Sequence, residues 1–255
     1  MSKPDKQTTR YEVLASPKWV RVLLGGEVVA DSKNTLLLRA HGRLPVYYFP
    51  VEDVRMGMLE AAGGNGVAEQ GEGPWPEPPD ERTVYTVRAG GTDAARAAWQ
   101  VLGRSDHPEL EGHLAFAWQA MDAWFEEDIQ VRVHPHDPYH LIDVRPSSRH
   151  VRVVIDGETV AETRRPVLLF ETGLPPRHYI PKMDVRLDLL ESGSRTTNCA
   201  YKGTAPHLSF RVNGNVAANI AWHYPFPNPG YEQIQDLIAF YQERVDMYVD
   251  SEPVQ

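Results

Sequence analysis

Two stretches decide the fold: VRVLLGGEVVA at residues 20–30 and VRVVIDGETVA at residues 151–161. Apolar and polar residues alternate in both stretches, which is the pattern of a β-strand with one buried face. Gly-Gly at 25–26 and Asp-Gly at 156–157 interrupt the alternation, and both dipeptides tolerate the positive φ angles of a two-residue hairpin turn. Each stretch therefore predicts a β-hairpin, and their similarity predicts that one structural unit occurs twice.

The similarity extends well beyond the hairpins. Residues 19–55 align without a gap on residues 150–186, at an offset of 131, and 16 of the 37 aligned positions are identical. Self-similarity of this length indicates a duplicated structural unit. We predict an N-terminal repeat over residues 11–133, a connector over 134–149 and a C-terminal repeat over 150–250.

Each repeat is expected to run from strands into one helix. Apolar residues recur every three or four positions in residues 231–249 and 109–125, as in an amphipathic helix. The Gly-, Pro- and acid-rich stretch at 61–81 is too poor in apolar residues to pack, so we expect a spacer there. The predicted fold class is mainly β with α+β character. It consists of two tandem domains of small antiparallel sheets, each closed by one C-terminal helix.

The bulk composition limits the partners. The chain has 255 residues and a net charge of −9, whereas binding to nucleic acid requires a concentrated basic surface. No apolar run approaches the roughly 20 residues that span a bilayer, and the N-terminus lacks the apolar segment of a secretory signal. We therefore expect a cytoplasmic protein with neither a nucleic-acid nor a membrane partner.

Neither a metal site nor a cofactor is expected. Cys199 is the single cysteine, so an intrachain disulfide and a Cys-rich zinc site are excluded. The run HPHDPYH at 134–140 contains three histidines, but its prolines favour extended backbone and its spacing matches no recognised ligand set. We interpret that run as part of the connector.

A charged set distinguishes the second repeat. Glu171 continues an apolar strand face, and Arg177 shares a face of the next strand with Tyr179. The first repeat has Ala40 and Val46 at the positions of Glu171 and Arg177, so both charges are lost together. Joint loss is expected of an acid–base or ligand-contacting site, and equally of a structural Glu–Arg ion pair.

The sequence CAYKG at residues 199–203 adds a cation. Gly203 permits close backbone approach, and Lys202 is a point charge suited to a phosphate or carboxylate, or else a solvated lysine in a turn. Cys199 is either a nucleophile activated by His207 or His223, or a small buried apolar residue.

Aromatic residues follow in NIAWHYPFP at residues 219–227. Alternation places Ile220, Trp222 and Tyr224 on one face of a strand and His223 on the other. Together with Tyr179 and Tyr201, Trp222 and Tyr224 would wall a small-molecule cleft, although Trp222 also suits plain core packing.

Several motifs resemble a known bacterial family, domain of unknown function 427, which also carries a nucleotidyltransferase-like label. The motifs are FETGLPPRHYIPKMDVR at 170–186, CAYKGTA at 199–205, AWHYPFP at 221–227 and IAFYQERVDMYVD at 238–250. HLAFAWQAMDAWFEED at 113–128 resembles the N-terminal copy of tandem members. The resemblance implies a β-tent-like fold, two small antiparallel sheets leaning together. The chain departs from the family in having Ala200 where Pro is usual and His207 where Tyr is common, and from zinc-bearing β-tents in lacking any CxxC pair.

These features predict a small-molecule-binding protein, an enzyme that acts on a small anionic or nucleotide-like metabolite. The alternatives are a non-catalytic module that captures a ligand or peptide, and a structural protein in which the repeats form an internal pseudo-dimer. We expect the two repeats to form an internal pseudo-dimer within one chain. The chain itself is expected to be a monomer or a weak homodimer. The predicted catalytic residues are Glu171 as acid or base, Lys202 and Tyr179. The predicted ligand-binding residues are Arg177, Tyr201, Trp222, Tyr224, His223 and Cys199.

Overall fold

The structure is a computed structural model that describes residues 10–71, 73–102 and 107–254. The chain divides into two compact units, unit 1 over Met1–Asp137 and unit 2 over Pro138–Gln255. Each unit is described by itself below.

Within the described residues, unit 1 forms a seven-stranded sheet in the order β1-β4-β5-β9-β8-β7-β6 and a four-stranded sheet in the order β11-β10-β2-β3. The paired strands of both sheets are antiparallel. The strands are β1 Tyr11–Ala15, β2 Val20–Leu24, β3 Glu27–Ser32, β4 Leu36–Ala40, β5 Val46–Pro50, β6 Leu59–Ala62, β7 Arg82–Ala89, β8 Thr92–Val101, β9 His113–Phe116, β10 Ala123–Glu126 and β11 Ile129–Val131.

Unit 2 repeats this arrangement. Its described strands form a seven-stranded sheet in the order β12-β15-β16-β20-β19-β18-β17 and a four-stranded sheet in the order β14-β13-β21-β22, again with antiparallel pairs. The strands are β12 Ile142–Pro146, β13 Val151–Ile155, β14 Glu158–Thr163, β15 Val167–Glu171, β16 Arg177–Ile180, β17 Leu190–Cys199, β18 Gly203–Val212, β19 Asn215–His223, β20 Ile238–Phe240, β21 Asp246–Val249 and β22 Glu252–Pro253.

The tandem repeat and its hairpins are confirmed. Strand order is the same in the two units, so each strand of unit 1 has a counterpart eleven strands later. Asp156 and Gly157 connect β13 to β14 with φ angles of 48° and 78°. Gly25 and Gly26 connect β2 to β3 with φ angles of 58° and 77°. Both turns use the left-handed conformation that their dipeptides predict.

Each seven-stranded sheet has an inner and an outer face. The inner face packs on the four-stranded sheet and encloses the larger core, which includes Phe49 and Trp124 in unit 1 and Phe210 and Met247 in unit 2. The outer face carries a second apolar cluster, which includes Trp99 in unit 1. In unit 2 its buried residues are Leu169, Tyr179, Ala205, Trp222, Tyr224, Ile234 and Ala239.

The predicted closing helices are wrong, since the described residues contain 3-10 turns but no α-helix. Residues 231–249 form a 3-10 turn at Glu232–Ile234 followed by β20 and β21, and residues 109–125 likewise contain β9 and most of β10. The central strand β20 is buried on both faces, with Ile238 and Phe240 in the inner core and Ala239 in the outer cluster. Its continuous apolar run, together with the turns beside it, produces the three- and four-residue spacing without a helix.

Two segments expected to be spacers belong to the folded units. In unit 1, Val67, Ala68 and Trp75 of the stretch 61–81 pack on the outer cluster, so that stretch is not a loose spacer. In unit 2, the predicted connector supplies β12, the edge strand of the seven-stranded sheet.

No described helix is long and apolar enough to cross a bilayer. The N-terminal stretch in which the sequence lacks an apolar signal segment falls mostly on residues 1–9, outside the described residues.

Candidate functional site

A largely buried ion pair lies at one end of the outer face of unit 2. Glu171 is the last residue of β15, and Lys202 lies in the turn between β17 and β18. The ammonium Nζ of Lys202 donates to Oε2 of Glu171. Only 8% of the Glu171 side chain and 10% of the Lys202 side chain are exposed. Burial of either charge alone is strongly unfavourable, so the pair is a mutually dependent unit.

His140 completes this cluster. Strand β12 pairs with β15 so that Ile142 lies opposite Glu171, which brings His140 beside the carboxylate. Nε2 of His140 lies 3.0 Å from Oε1 of Glu171. Because an ionised carboxylate only accepts hydrogen bonds, Nε2 carries a proton, and in the neutral ring Nδ1 keeps its lone pair. The imidazole also stacks on Tyr201, with ring centroids 4.5 Å apart and planes 20° apart.

Asn228 holds the turn that presents Lys202. Its backbone N–H donates to Lys202 O at 3.0 Å, and its side-chain Nδ2 donates to the carbonyls of Tyr201 at 2.9 Å and Ala200 at 3.2 Å. Gly203 has a φ of +103°, and a Cβ there would lie 3.1 Å from Asn228 Oδ1. The tight fit explains the glycine of CAYKG.

The predicted aromatic residues come together beside this cluster. Tyr179, Trp222 and Tyr224 share the outer apolar cluster, and Trp222 Nε1 donates to the Tyr179 hydroxyl at 3.3 Å. Burial raises the pKa of Tyr179 and of Tyr224 far above the usual value, and the negative charge of Glu171 raises both further. Both hydroxyls are therefore protonated hydrogen-bond donors at neutral pH.

Arg177 forms an ion pair with Glu243 rather than with Glu171, which the sequence had suggested. Its guanidinium binds the carboxylate of Glu243, with Nη2 and Oε1 2.7 Å apart, and lies 5.7 Å from the Trp222 ring centroid. The hydrogen bond from Arg177 lowers the pKa of Glu243. The two cations predicted for the site thus face different carboxylates, Lys202 with Glu171 and Arg177 with Glu243.

Within the described residues, neither His223 nor Cys199 is hydrogen-bonded to Glu171 or Lys202. His223 Nδ1 lies 3.7 Å from Asp236 Oδ1, and burial followed by the charge of Lys182 lowers the pKa of His223. Cys199 is a partly buried free thiol, opposite Gly203 at the end of the β17–β18 hairpin. Among the described residues, no three His, Cys, Asp or Glu side chains are grouped to hold a metal ion.

Comparison with known families agrees with the two-unit organisation. A family model described as a domain of unknown function (DUF427) matches residues 12–127 and, a second time, residues 143–251. The chain belongs to the DUF427 family. The match occurs once in each unit, which confirms the tandem resemblance drawn from the motifs. No curated protein matches the sequence.

The two DUF427 copies differ at the site. Ala40 and Val46 occupy the positions of Glu171 and Arg177, on strands whose register is otherwise equivalent. The outer cluster of unit 1 keeps the aromatic pair, because Trp99 Nε1 donates to the Tyr48 hydroxyl at 3.4 Å. The tyrosine–tryptophan pair is therefore common to both copies, whereas the charges belong to unit 2.

Sequence reasoning missed His140 and Asn228 and misplaced Ile220. His140 was assigned to a connector, although alternation in the residues that follow it is the signal of strand β12. No sequence pattern reveals the hydrogen bonds of Asn228 to the turn. Ile220 packs in the inner core rather than beside Trp222, because Asn219 has a φ of +49° at a bulge in β19.

Proposed function

We propose that unit 2 binds a small anionic or nucleotide-like metabolite and acts on it by proton transfer. The observation that carries the proposal is the carboxylate of Glu171, held between Lys202 and His140 beside an aromatic wall. Polar groups that converge beside aromatic side chains are the usual composition of a small-molecule site. The absence of Glu171 and Arg177 equivalents from unit 1 supports a function specific to unit 2.

Glu171 acts in this proposal by orienting His140. Both of its carboxylate oxygens already accept hydrogen bonds, one from Lys202 and one from His140. The hydrogen bond at Nε2 leaves Nδ1 of His140 as the atom that takes or returns a proton. A carboxylate–imidazole pair of this kind selects the tautomer and stabilises the imidazolium that forms.

Hydrogen-bond donors beside the pair favour an anionic ligand oxygen. Lys202 has three ammonium hydrogens and uses one on Glu171, so two are available for a ligand. The hydroxyls of Tyr179 and Tyr224 stay protonated because their pKa values are raised by burial. The aromatic residues of the outer cluster, among them Trp222, suit packing against a flat group such as a base.

A second candidate is a non-catalytic binding module. The observation that favours it is the internal pairing of charges, since Lys202 and Arg177 each have an acidic partner within unit 2. A ligand held by the tyrosine hydroxyls and the aromatic wall would then need no proton transfer.

Ligand binding is tested with a metabolite panel in a thermal-shift assay on the full chain. The site variant Glu171→Gln/Lys202→Met removes both charges, so it leaves neither one buried alone. The matched control Glu191→Gln/Arg211→Met removes an exposed ion pair of the same unit. We expect anionic hits to stabilise the wild type and the control but not the site variant. Equal stabilisation of all three proteins contradicts the proposed site.

Proton transfer is tested with His140→Phe, which retains a ring to stack on Tyr201. We expect this variant to bind each hit with nearly unchanged affinity and to lose turnover of any hit that the wild type converts. Unchanged turnover in His140→Phe rules out His140 as the base. Stabilisation by ligands without conversion in the wild type supports the binding module.

We also propose that each unit has a β-tent architecture. The support is that each unit contains two antiparallel sheets around a common core.

A further inference from the structure

Unit 1 contains a buried carboxylate that the sequence did not single out. Glu126, the last residue of β10, accepts hydrogen bonds from the Tyr47 hydroxyl at 2.9 Å and from the backbone N–H of His136 at 3.3 Å. Lys18 Nζ donates to its other oxygen. Tyr47 points to the inner face of its sheet, so this cluster is separate from the outer face.

Strand register identifies the equivalent residues of unit 2. Tyr47 lies opposite Leu37, and His178 lies opposite Leu168 at the offset of 131, so His178 takes the place of Tyr47. Lys18 precedes β2 by two residues, as Arg149 precedes β13. The cation and the polar ring are therefore retained in unit 2.

The carboxylate is not retained. Glu126 lies opposite Val20 in unit 1, and Val249 lies opposite Val151 at the equivalent place in unit 2. When the strands β9 and β20 are aligned, Gln242 of unit 2 takes the position of Trp118 of unit 1. A carboxylate with three partners in one copy is thus replaced by an apolar side chain among polar groups in the other.

Two atoms of those polar groups lack a hydrogen-bond partner among the described residues. His178 is 6% exposed and Gln242 is 5% exposed, and neither Nδ1 of His178 nor Oε1 of Gln242 has a hydrogen-bond partner within the described chain. Burial lowers the pKa of His178, the positive charges of Arg149 and Arg177 lower it further, and the side chain of Gln242 raises it in part. Buried polar atoms without partners are costly, so an anion with two acceptor oxygens matches this environment.

We propose that unit 2 binds a small carboxylate between His178, Gln242 and Arg149, in the place that the Glu126 carboxylate has in unit 1. The amide of Gln242 donates through its NH₂ once its two indistinguishable ends are exchanged, and the protonated ring of His178 donates through Nδ1. Arg149 is exposed, and within the described residues it has no acidic partner, so its charge is available to the anion. The site lies on the inner face, so it is independent of the Glu171 cluster.

Carboxylate binding and protonation of His178 are coupled. The groups whose charges act on His178 are Arg149 and Arg177, and Gln242 lies beside it. A bound anion favours the imidazolium, so it raises the pKa of His178. By linkage the carboxylate binds more tightly as the pH falls from the pKa of the bound state towards the lower pKa of the free state.

The test uses acetate as the probe and the ring signals of His178 in an NMR pH titration of the full chain. We expect acetate to raise the pKa of His178 saturably, whereas chloride at the same ionic strength does not. Arg149→Gln is expected to weaken acetate binding roughly 5- to 10-fold, as for loss of one charge-assisted contact. An equal response to chloride, or tighter binding of phosphate than of acetate, overturns the proposal.

The sharpest variant is Val249→Glu, which supplies the carboxylate within the chain as unit 1 does. We expect it to raise the pKa of His178 without acetate and to remove the response to acetate. A folded Val249→Glu protein in which acetate still raises the pKa of His178 contradicts the site. If this variant does not fold, an unchanged acetate affinity in Arg149→Gln overturns the proposal in the same way.

Discussion

The outer faces of the two seven-stranded sheets have the same strand order but are packed with different side chains. In unit 1 the face is apolar, and Val67, Ala68 and Trp75 of the inserted stretch pack on it. In unit 2 the same face ends in the charged pair of Glu171 and Lys202. Because a buried charge requires a partner, the two residues of a buried ion pair are kept or lost together. The same strand order accommodates either the apolar face or the ion pair.

The two units also differ at the tips of their β-hairpins. Gly25 and Gly90 of unit 1 approach so closely that a Cβ on Gly25 would lie 2.2 Å from Ala89 O. At the equivalent tips of unit 2, Asn213 donates a side-chain hydrogen bond to Asp156 O at 3.2 Å. The first contact is between backbones and excludes side chains, whereas the second is made by a side chain.

The largest expected effect comes from breaking the buried pair. Glu171→Ala gives unit 2 the residue that unit 1 has at this place and leaves Lys202 buried without its carboxylate. We expect the free energy of unfolding of unit 2 to fall by about 3–5 kcal/mol. Amide hydrogen exchange, read separately for peptides of each unit, measures this loss.

Two further variants serve as controls for that prediction. Adding Lys202→Met to Glu171→Ala is expected to restore most of the lost stability, because no unpaired charge remains. Ala40→Glu is expected to destabilise unit 1, where Ala40 is buried and has no cation equivalent to Lys202 in the inserted stretch. Glu171→Ala protein that is as stable as the wild type shows that the pair is dispensable.

The next effect concerns the hairpin tips. Gly25→Asp copies the residue of unit 2 into unit 1, where its Cβ collides with Ala89 O, and we expect a loss of about 2–3 kcal/mol. The reverse change, Asp156→Gly, keeps the carbonyl that Asn213 binds and is expected to alter stability by less than about 1 kcal/mol. Chemical unfolding of the two variants compares them directly, and equal losses would contradict the asymmetry.

Acid is expected to weaken unit 2 more than unit 1. Burial lowers the pKa of His178, His207 and His223, so the unfolded chain takes up protons more readily than the folded one. The stability of unit 2 therefore decreases as the pH falls below about 6.5. Exchange measured between pH 7.5 and 5.5 should show this loss in unit 2 peptides.

Unit 1 supplies the control for the pH effect. Tyr47, Val84 and Gln100 occupy the positions of the three histidines, as the strand pairings show. The triple variant His178→Tyr/His207→Val/His223→Gln is expected to flatten the pH dependence of unit 2. A variant as acid-sensitive as the wild type would assign the effect to other groups.

The smallest effect is expected at the Arg177–Glu243 pair. Arg177→Val copies unit 1 and removes an ion pair in which half of the Glu243 side chain is exposed to solvent. Solvent screening limits the expected loss to about 1 kcal/mol or less. A double-mutant cycle with Glu243→Gln isolates the pair, and a coupling energy near that of a buried pair would contradict this ranking.

Local alternation and turn chemistry were sufficient to predict the duplicated unit, the two hairpins and the strands that flank Glu171. These features depend on neighbouring residues, because side-chain direction alternates along a strand and φ preference belongs to a dipeptide. The aromatic pair of Tyr179 and Trp222 was likewise foreseen, since each residue continues an apolar face.

Long-range strand pairing decided the rest. Strand β20 is buried on both faces because it lies between β16 and β19. Its consecutive apolar residues therefore contribute to the three- and four-residue spacing that is typical of a helix. His140 meets Glu171 because β12 pairs with β15, and Arg177 finds Glu243, 66 residues further along the chain. The periodicity of the sequence does not identify a partner so distant in the chain. Only the tertiary structure therefore determines which charged side chains form pairs.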